Sequence, residues 1–290
     1  MKKFTILIPI FNDWNSLEKL LSEININIKN IKDAQFNCVI IDDCSTMQNP
    51  KIKIPSFINT IKIIHMSKNK GHARCNAFGV RYLSENKDLD YLILMDGDGE
   101  DRPEEIKLLV DKVLSEPNKS VVAKRIKRSE GLFFQMLYRI HKYLTFITTG
   151  KIINFGNYSC LIKPDIKKMS TKESLWSSYS GTFKKNIVSY NEINSTRGTR
   201  YFGPSQMSLL KLLIHSFSII AVFKYRVLIS SIVFLGAFHY LGFLIKFNFL
   251  FFQTLIVLFN IFIFVVSFRE SKKDLENSQL DITNIEDLTH

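Results

Sequence analysis

Residues 91–104 read YLILMDGDGEDRPE, and this short stretch indicates the kind of fold. It begins with an apolar run typical of a buried strand, and a glycine-rich turn that contains Asp96 and Asp98 follows at once. Pro103 then stands at the first position of a predicted helix, where the missing amide of proline costs nothing. The stretch therefore predicts a strand, an acidic turn and a helix in succession.

The same succession occurs twice nearer the N-terminus. Residues 4–10 form an apolar run that ends in the polar turn FND at 11–13, and residues 38–41 form another that ends in the pair DD at 42–43. Apolar residues at helical spacing lie between the two runs, over residues 17–28. This alternation of strands and helices predicts parallel β-α-β units and hence an α/β fold.

The three polar turns are expected to meet, because the carboxyl ends of parallel strands line one crevice of an open α/β sheet. A single acidic turn is most often a solvated loop, but three turns at equivalent places favour a binding site. Asp96 and Asp98 have the spacing expected for Mg²⁺ or Mn²⁺, with Glu100 as a third carboxylate. A metal at this point would neutralise a diphosphate as it leaves.

Four motifs occur in the order IPIFND, IDDCST, NKGHAR and MDGDGEDRPE. This order resembles that of family 2 glycosyltransferases, in particular the dolichol-phosphate mannose synthase-like group of polyprenyl-phosphate sugar transferases. The resemblance implies a nucleotide-diphospho-sugar transferase fold of the GT-A type with a mainly parallel sheet. It also implies a divalent metal, a nucleotide-diphosphate sugar as donor, and a polyprenyl phosphate or another lipid-linked acceptor.

The resemblance implies roles for individual residues as well. Arg125 matches an arginine near the substrate phosphates, and Asp96 and Asp98 match the metal motif. Gly71 is assigned to the diphosphate because it opens a predicted helix, although a capping role alone would also explain it. Cys44 stands where the family usually has glycine, which leaves the exact turn at this point open. The expected nucleotide-sugar site comprises Pro9, Phe11, Asn12, Asp13, Asp42, Asp43, Gly71 and Asp96.

The segment RGTRYFGPS at residues 197–205 resembles the R-x-x-R-x-x-G-x-S segment of the same group. Two guanidinium groups and a hydroxyl beside a bilayer can clamp a lipid phosphate. Arg197, Arg200 and Ser205 are therefore predicted to bind the acceptor phosphate. Ordinary attraction of basic residues to anionic lipids is the alternative.

Two long apolar runs, residues 228–245 and 249–268, predict a transmembrane hairpin, because about 20 apolar residues span a bilayer. A hairpin buried in a soluble core is the alternative. Basic residues flank both outer ends of the hairpin, so the positive-inside rule assigns both ends to the cytoplasm. The chain is predicted to be an integral membrane protein, of a bacterial inner membrane, with its catalytic domain in the cytoplasm.

The predicted organisation has four parts. Residues 1–206 form the cytoplasmic GT-A domain, residues 207–226 an amphipathic helix in the membrane interface, and residues 227–268 the hairpin. Residues 269–290 are acidic and polar and are predicted to be a disordered cytoplasmic tail. The net charge of +12 fits a nucleic acid, an anionic membrane surface or a phosphorylated substrate. No RNA-binding motif is present, so no nucleic acid partner is expected, and a homo-oligomer stays open.

The chemistry predicted from these features is an inverting, metal-dependent sugar transfer. The oxygen of a polyprenyl phosphate is already an anion near neutral pH, so no general base is needed and catalysis rests on alignment and charge stabilisation. The predicted catalytic residues are Asp98, Arg125, Arg197 and Arg200.

Two alternatives remain. The first is transfer to a hydroxyl of a lipid-linked glycan in surface polysaccharide synthesis, which needs a carboxylate base such as Glu173 or Glu192. The second is a non-catalytic membrane scaffold of the same fold, which predicts loss of the metal carboxylates.

Overall fold

The computed structural model describes residues 1–48, 50–127, 132–204 and 208–290. The strands in this part of the chain are β1 (Lys2–Ile10), β2 (Ala34–Asp42), β3 (Ile58–Met66), β4 (Tyr91–Leu94), β5 (Val121–Lys127), β6 (Phe155–Ile162), β7 (Asn191–Thr196) and β8 (Ile282–Thr289).

The helices of the same residues are α1 (Trp14–Ile28), α2 (His72–Ser84), α3 (Ile106–Ser115), α4 (Leu132–Thr149), α5 (Lys163–Ser170), α6 (Tyr179–Asn186), α7 (Leu209–Ala221), α8 (Lys224–Ile245), α9 (Leu250–Ser267) and α10 (Lys272–Glu276). Short 3₁₀ turns lie at Pro103–Glu105, Glu173–Trp176 and Ser278–Asp281.

These strands belong to one sheet with the order β7-β5-β6-β4-β1-β2-β3-β8. The central strands β4, β1, β2 and β3 run parallel, with Leu7 opposite Leu94 and Ile10 opposite Asp42. β5 and β7 are also parallel, whereas β6 and β8 run antiparallel to their neighbours. The prediction of an α/β fold with a mainly parallel sheet is confirmed.

Helices cover both faces of the central strands, which explains why these strands are apolar on both sides. Ile6 and Ile8 of β1 are fully buried in the core formed with α1 and α3, whereas Leu7 is buried in the core formed with α2. The apolar stripe of α1, including Leu17 and Leu20, is fully buried. This packing fixes the positions at which β1, β2 and β4 end.

The apolar helices α7, α8 and α9 lie between β7 and β8 in the sequence. α8 and α9 are long and apolar enough to cross a membrane. Many of their large side chains are exposed, including Ile229, Val233, Phe251 and Leu258. These helices overlap the two apolar runs from which the hairpin was predicted.

The prediction of a disordered C-terminal tail is wrong. The tail forms α10, a 3₁₀ turn and β8, and β8 pairs antiparallel with β3, with Thr60 opposite Thr289. Leu275 of α10 is buried in the core beside α2, and Leu288 packs on the core beside α1. The acidic composition conceals this order, because an edge strand is held mainly by its backbone ladder and needs few apolar side chains.

Candidate active site

The polar turns after β1, β2 and β4 meet at one edge of the sheet. The Asp43 amide donates a hydrogen bond to the Ile10 carbonyl (2.9 Å), and the Met95 amide donates to the Leu7 carbonyl (3.2 Å). Pro9 is buried near the end of β1. The structure therefore brings the three turns together, as predicted.

Asn12 ties the first turn to the second. Its side-chain Oδ1 accepts hydrogen bonds from the backbone amides of Thr46 (2.8 Å) and Met47 (3.1 Å). The backbone amide of Asn12 donates to Ser45 Oγ (2.8 Å). The φ of Asn12 is 52°, a left-handed conformation that asparagine tolerates better than most residues. Phe11, beside it, is half-buried. The Asn12 side chain thus braces the loops at which the nucleotide was predicted to bind.

Asp42 and Asp43 are almost completely buried, with exposures of 4% and 3%. Asp42 Oδ1 accepts the Ser45 amide (2.9 Å), and the two oxygens of Asp43 accept the amides of Lys70 (2.7 Å) and Gly71 (2.8 Å). Burial raises the pKa of Asp43, and the hydrogen bonds from these amides oppose that shift. Gly71 has a φ of 90°, which favours glycine. Both carboxylates therefore hold loops of the site.

Asp96 contacts His72 and Asn157. Its Oδ1 lies 3.1 Å from His72 Nε2 and accepts a hydrogen bond from Asn157 Nδ2 (3.3 Å). Burial alone would raise the pKa of Asp96, but His72, Arg125 and the Asn157 hydrogen bond hold it below its ordinary value. Burial acts to lower the pKa of His72, and the Asp96 carboxylate outweighs it, so the pKa is raised. No motif pointed to Asn157.

The segment that carries the two predicted acceptor arginines folds over the acidic turn. The Gly198 amide donates to the Glu100 carbonyl (2.8 Å), and the Tyr201 amide donates to the Asp98 carbonyl (2.9 Å). These backbone bonds hold residues 197–201 against residues that lie about a hundred positions earlier in the chain.

The side chains of this segment pair with the acidic residues. Arg200 donates to Asp98 Oδ2 from one terminal nitrogen (2.8 Å) and pairs with Asp13 through the other. Arg197 pairs with Glu100. Asp13 and Asp98, predicted to contact nucleotide and metal, are thus bridged by one guanidinium group. Ser205, the third predicted acceptor residue, lies outside the described residues.

The carboxylates of the acidic turn repel one another. Burial and then the charges of Asp96 and Glu100 raise the pKa of Asp98 to about 6. Burial, followed by the negative charge of Asp96, raises the pKa of Asp101 to about 8. Two contacts oppose this shift: Asp101 accepts a hydrogen bond from the Asp96 amide (3.0 Å) and lies 3.7 Å from an Arg125 nitrogen. A bound cation would relieve this repulsion. The role of Asp101 was missed, because the turn alone does not show which of its carboxylates is buried.

The carboxylates of the acidic turn fit a metal ion that takes some of its ligands from the substrate. The described residues contain no group of three or more His, Cys, Asp or Glu side chains arranged to hold a metal ion. Mg²⁺ is usually bound through one or two carboxylates plus substrate phosphates, a donor set that Asp96 and Asp98 match. Asp98 Oδ2 accepts a hydrogen bond from Arg200, so a metal held at that oxygen would compete with the guanidinium group. Glu100 as a third ligand stays a prediction.

Comparison with known proteins identifies the family. A model of Glycosyl transferase family 2 matches residues 5–177. Curated relatives include the undecaprenyl-phosphate 4-deoxy-4-formamido-L-arabinose transferases of Photorhabdus laumondii, 25% identical over 221 residues, and Salmonella choleraesuis, 27% identical over 166 residues. The first match covers 73% of this chain and 65% of the relative, and the second covers 56% and 48%. The chain thus spans less than two thirds of the length of these relatives.

Solved structures share the fold. Glucosyl-3-phosphoglycerate synthase from Mycobacterium tuberculosis, in complex with Mn²⁺, uridine diphosphate and phosphoglyceric acid, aligns with a TM-score of 0.54 and 15% identity over 78% of each chain. Mannosyltransferase PcManGT from Pyrobaculum calidifontis, in complex with GDP-Man and Mn²⁺, aligns with a TM-score of 0.50 and 13% identity over 78% of this chain and 64% of its own. The GT-A type of fold implied by the motif order is confirmed. Because the family model covers more than half of the chain, this protein belongs to glycosyl transferase family 2.

Proposed function

We propose that this chain transfers a sugar from a nucleotide-diphosphate sugar to a polyprenyl phosphate, or another lipid-linked acceptor, at a membrane surface. The observation that carries the proposal is the cluster in which Arg200 joins Asp13 to Asp98 and Arg197 joins Glu100. This cluster offers carboxylates for a metal and guanidinium groups for phosphates within one site. The names of the curated relatives support an undecaprenyl phosphate as the acceptor.

In the proposed mechanism, an acceptor phosphate oxygen displaces the nucleotide diphosphate in line, with inversion at the sugar carbon. The acceptor oxygen is already an anion, so the residues of the site need only align the reactants and stabilise charge. Mg²⁺ or Mn²⁺, when bound, would neutralise the departing diphosphate. Asp96 and Asp98 would hold the metal, while Arg125, Arg197 and Arg200 would hold phosphates.

The surroundings of the site support a lipid acceptor. Burial, reinforced by the nearby His72, lowers the pKa of His215 on α7 to about 4, with the Asp96 carboxylate opposing the shift. His141 Nε2 on α4 lies 2.8 Å from the Ser216 carbonyl on α7. The influence of the Asp96 charge on His215 supports an acceptor that reaches the acidic turn from the helix predicted for the membrane interface, as a lipid headgroup would.

The path of the chain supports a hairpin whose two ends share one side of a membrane. β8 follows α9 in sequence and pairs with β3 of the N-terminal sheet. Two crossings return the chain to the side on which it started. Basic residues beside both outer ends of the hairpin favour the cytoplasmic side, in agreement with an inner-membrane enzyme.

The decisive experiment incubates membranes that contain the full chain with radiolabelled nucleotide sugars, with and without added undecaprenyl phosphate. We expect label in the lipid extract only when the lipid phosphate is present. Label that appears only in a polymer or glycan would favour transfer to a hydroxyl instead. Absence of transfer from every donor would favour the non-catalytic scaffold.

Removal of metal should abolish the transfer. Because the repelling carboxylates of the acidic turn and a diphosphate both need a cation, we expect EDTA to lower the rate at least about 100-fold. Mn²⁺ or Mg²⁺ added in excess should restore the rate, as measured by label in the lipid extract. A full rate in EDTA, with the chelator confirmed to be in excess, would contradict the metal role.

Gly198→Ala should lower activity without unfolding the protein. A Cβ at Gly198 would lie 2.6 Å from the Gly99 carbonyl oxygen, and this backbone atom cannot swing aside like a side chain. Residues 197–201 would have to shift, and with them both arginines. We expect a loss of roughly 10-fold or more in kcat/KM, since small displacements of positioning groups are costly. Steady-state kinetics would measure the loss.

Thr199→Ala is the matched control for this variant. Thr199 is the exposed neighbour of Gly198, and its replacement leaves the docked backbone unchanged. Equal kinetics for the two variants would show that close docking of the segment is not required.

A further inference from the structure

The C-terminal strand lies next to the predicted nucleotide site. β8 pairs with β3, and β3 pairs with β2, the strand that ends in Asp42. Within this ladder His65 lies opposite Asp42 on one side and opposite Asn284 on the other. The last residues of the chain are therefore one strand away from a carboxylate that the nucleotide is predicted to contact.

His65 bridges the two strands through both of its ring nitrogens. Its Nδ1 lies 2.8 Å from Asp42 Oδ2, and its Nε2 lies 3.1 Å from Glu286 Oε1. The Asp42 side chain is 6% exposed and the Glu286 side chain 38% exposed. The His65 ring thus contacts the more exposed Glu286 through Nε2 and the buried Asp42 through Nδ1.

A second contact from the same segment supports the neighbouring Asp43. The Asp281 carboxylate lies 2.8 Å from Lys70 Nζ, and its carbonyl accepts the Ser67 amide (2.7 Å). The Lys70 amide in turn donates to Asp43 Oδ1 (2.7 Å). Residues after the apolar hairpin therefore brace both carboxylates of the DD pair.

We propose that Glu286 is a positioning residue for the nucleoside diphosphate part of the donor, acting through His65 on Asp42. Both carboxylate oxygens of Asp42 have a partner in the protein. Oδ1 accepts a hydrogen bond from the Ser45 amide, and Oδ2 contacts the His65 ring. Loss of Glu286 frees the ring to rotate, and Asp42 then loses its set orientation. This inference rests on the proposed function, because it takes the site to bind a nucleotide.

The test measures nucleotide affinity on the full chain in detergent. UDP, GDP, ADP and CDP are each titrated in the presence of Mn²⁺, and whichever binds the wild type is the probe. We expect Glu286→Ala and His65→Ala to weaken its binding about 3- to 10-fold, the range for loss of a positioning hydrogen bond. Glu286→Gln keeps an acceptor oxygen and should weaken binding less than Glu286→Ala.

Asp287→Asn is the matched control. Asp287 is the next residue of β8 and forms an ion pair across to Lys62 of β3 (3.0 Å), so the same kind of charge is removed from the same strand pair. Adjacent residues of a strand point to opposite faces, so this pair does not contact the His65 ring. We expect its nucleotide affinity to match that of the wild type.

A double variant separates positioning from general support of the sheet. If Glu286 acts through His65, the double variant His65→Ala/Glu286→Ala should bind the probe no more weakly than His65→Ala alone. The donor KM of Glu286→Ala should rise by the same factor as the dissociation constant, with kcat changed less than about twofold. Additive losses, or an equal loss in Asp287→Asn, would overturn the inference while the proposed function stands. If the wild type binds none of the four nucleotides, both the inference and the proposed function are overturned.

Discussion

Asp98→Asn should lower kcat/KM for sugar transfer at least about 10³-fold, as expected when a metal ligand at a reacting centre is removed. The asparagine has the same shape as the aspartate but lacks the charge that a metal requires. It also loses the charged partner of Arg200, whose terminal nitrogen donates to Asp98 Oδ2. Both the predicted metal site and Arg200, a predicted phosphate-binding side chain, are therefore affected. Transfer of label from nucleotide sugar to lipid phosphate would measure the change.

Stability separates this loss from misfolding. Burial and neighbouring carboxylates raise the pKa of Asp98 to about 6, above that of an exposed aspartate, so its negative charge costs folding free energy at neutral pH. The asparagine removes this cost, and the variant should unfold at the same temperature as the wild type or higher. Asp111→Asn, at an exposed ion pair with Lys107, is the control and should retain activity. More than a tenth of wild-type activity in Asp98→Asn would contradict the metal role.

The central sheet could be predicted because its signals are local. Each apolar run is followed directly by its own polar turn, and parallel β-α-β units have few arrangements available to them. The meeting of the turns at 11–13, 42–43 and 96–101 therefore follows from strand order alone. The same reasoning could not show which oxygens remain free. Asp43, for example, uses both of its oxygens on the loop before α2.

The contacts that complete the site join distant parts of the chain. Arg200 meets Asp98 across 102 positions, and His65 meets Glu286 across 221. No spacing rule covers such separations. The segment at 197–201 was found only through its resemblance to a family motif. The C-terminal strand was predicted to be disordered because the tail that contains it is acidic and polar, whereas its order depends on the free edge that β3 offers.

Arg200 joins side chains that were predicted to serve different parts of the site. It was predicted to hold the acceptor phosphate, yet in the structure it bridges Asp13 of the first polar turn and Asp98 of the metal motif. A guanidinium group in this position offsets the repulsion between two half-buried carboxylates. It would be available to phosphate oxygens if a metal took its place at Asp98.

Arg200→Ala should lower kcat/KM about 100-fold, the usual loss when one preorganised donor to developing charge is removed. Arg200→Lys restores the charge but not the two-pronged geometry that spans Asp13 and Asp98, so we expect it to recover only part of the rate. Separate titrations of the donor and of the lipid phosphate show which substrate Arg200 binds. A rise in the acceptor KM alone supports the predicted acceptor site. A rise in the donor KM assigns Arg200 to the diphosphate. Arg139→Ala, which removes an exposed arginine of α4, is the control. Wild-type kinetics in Arg200→Ala would show that the bridge serves folding alone.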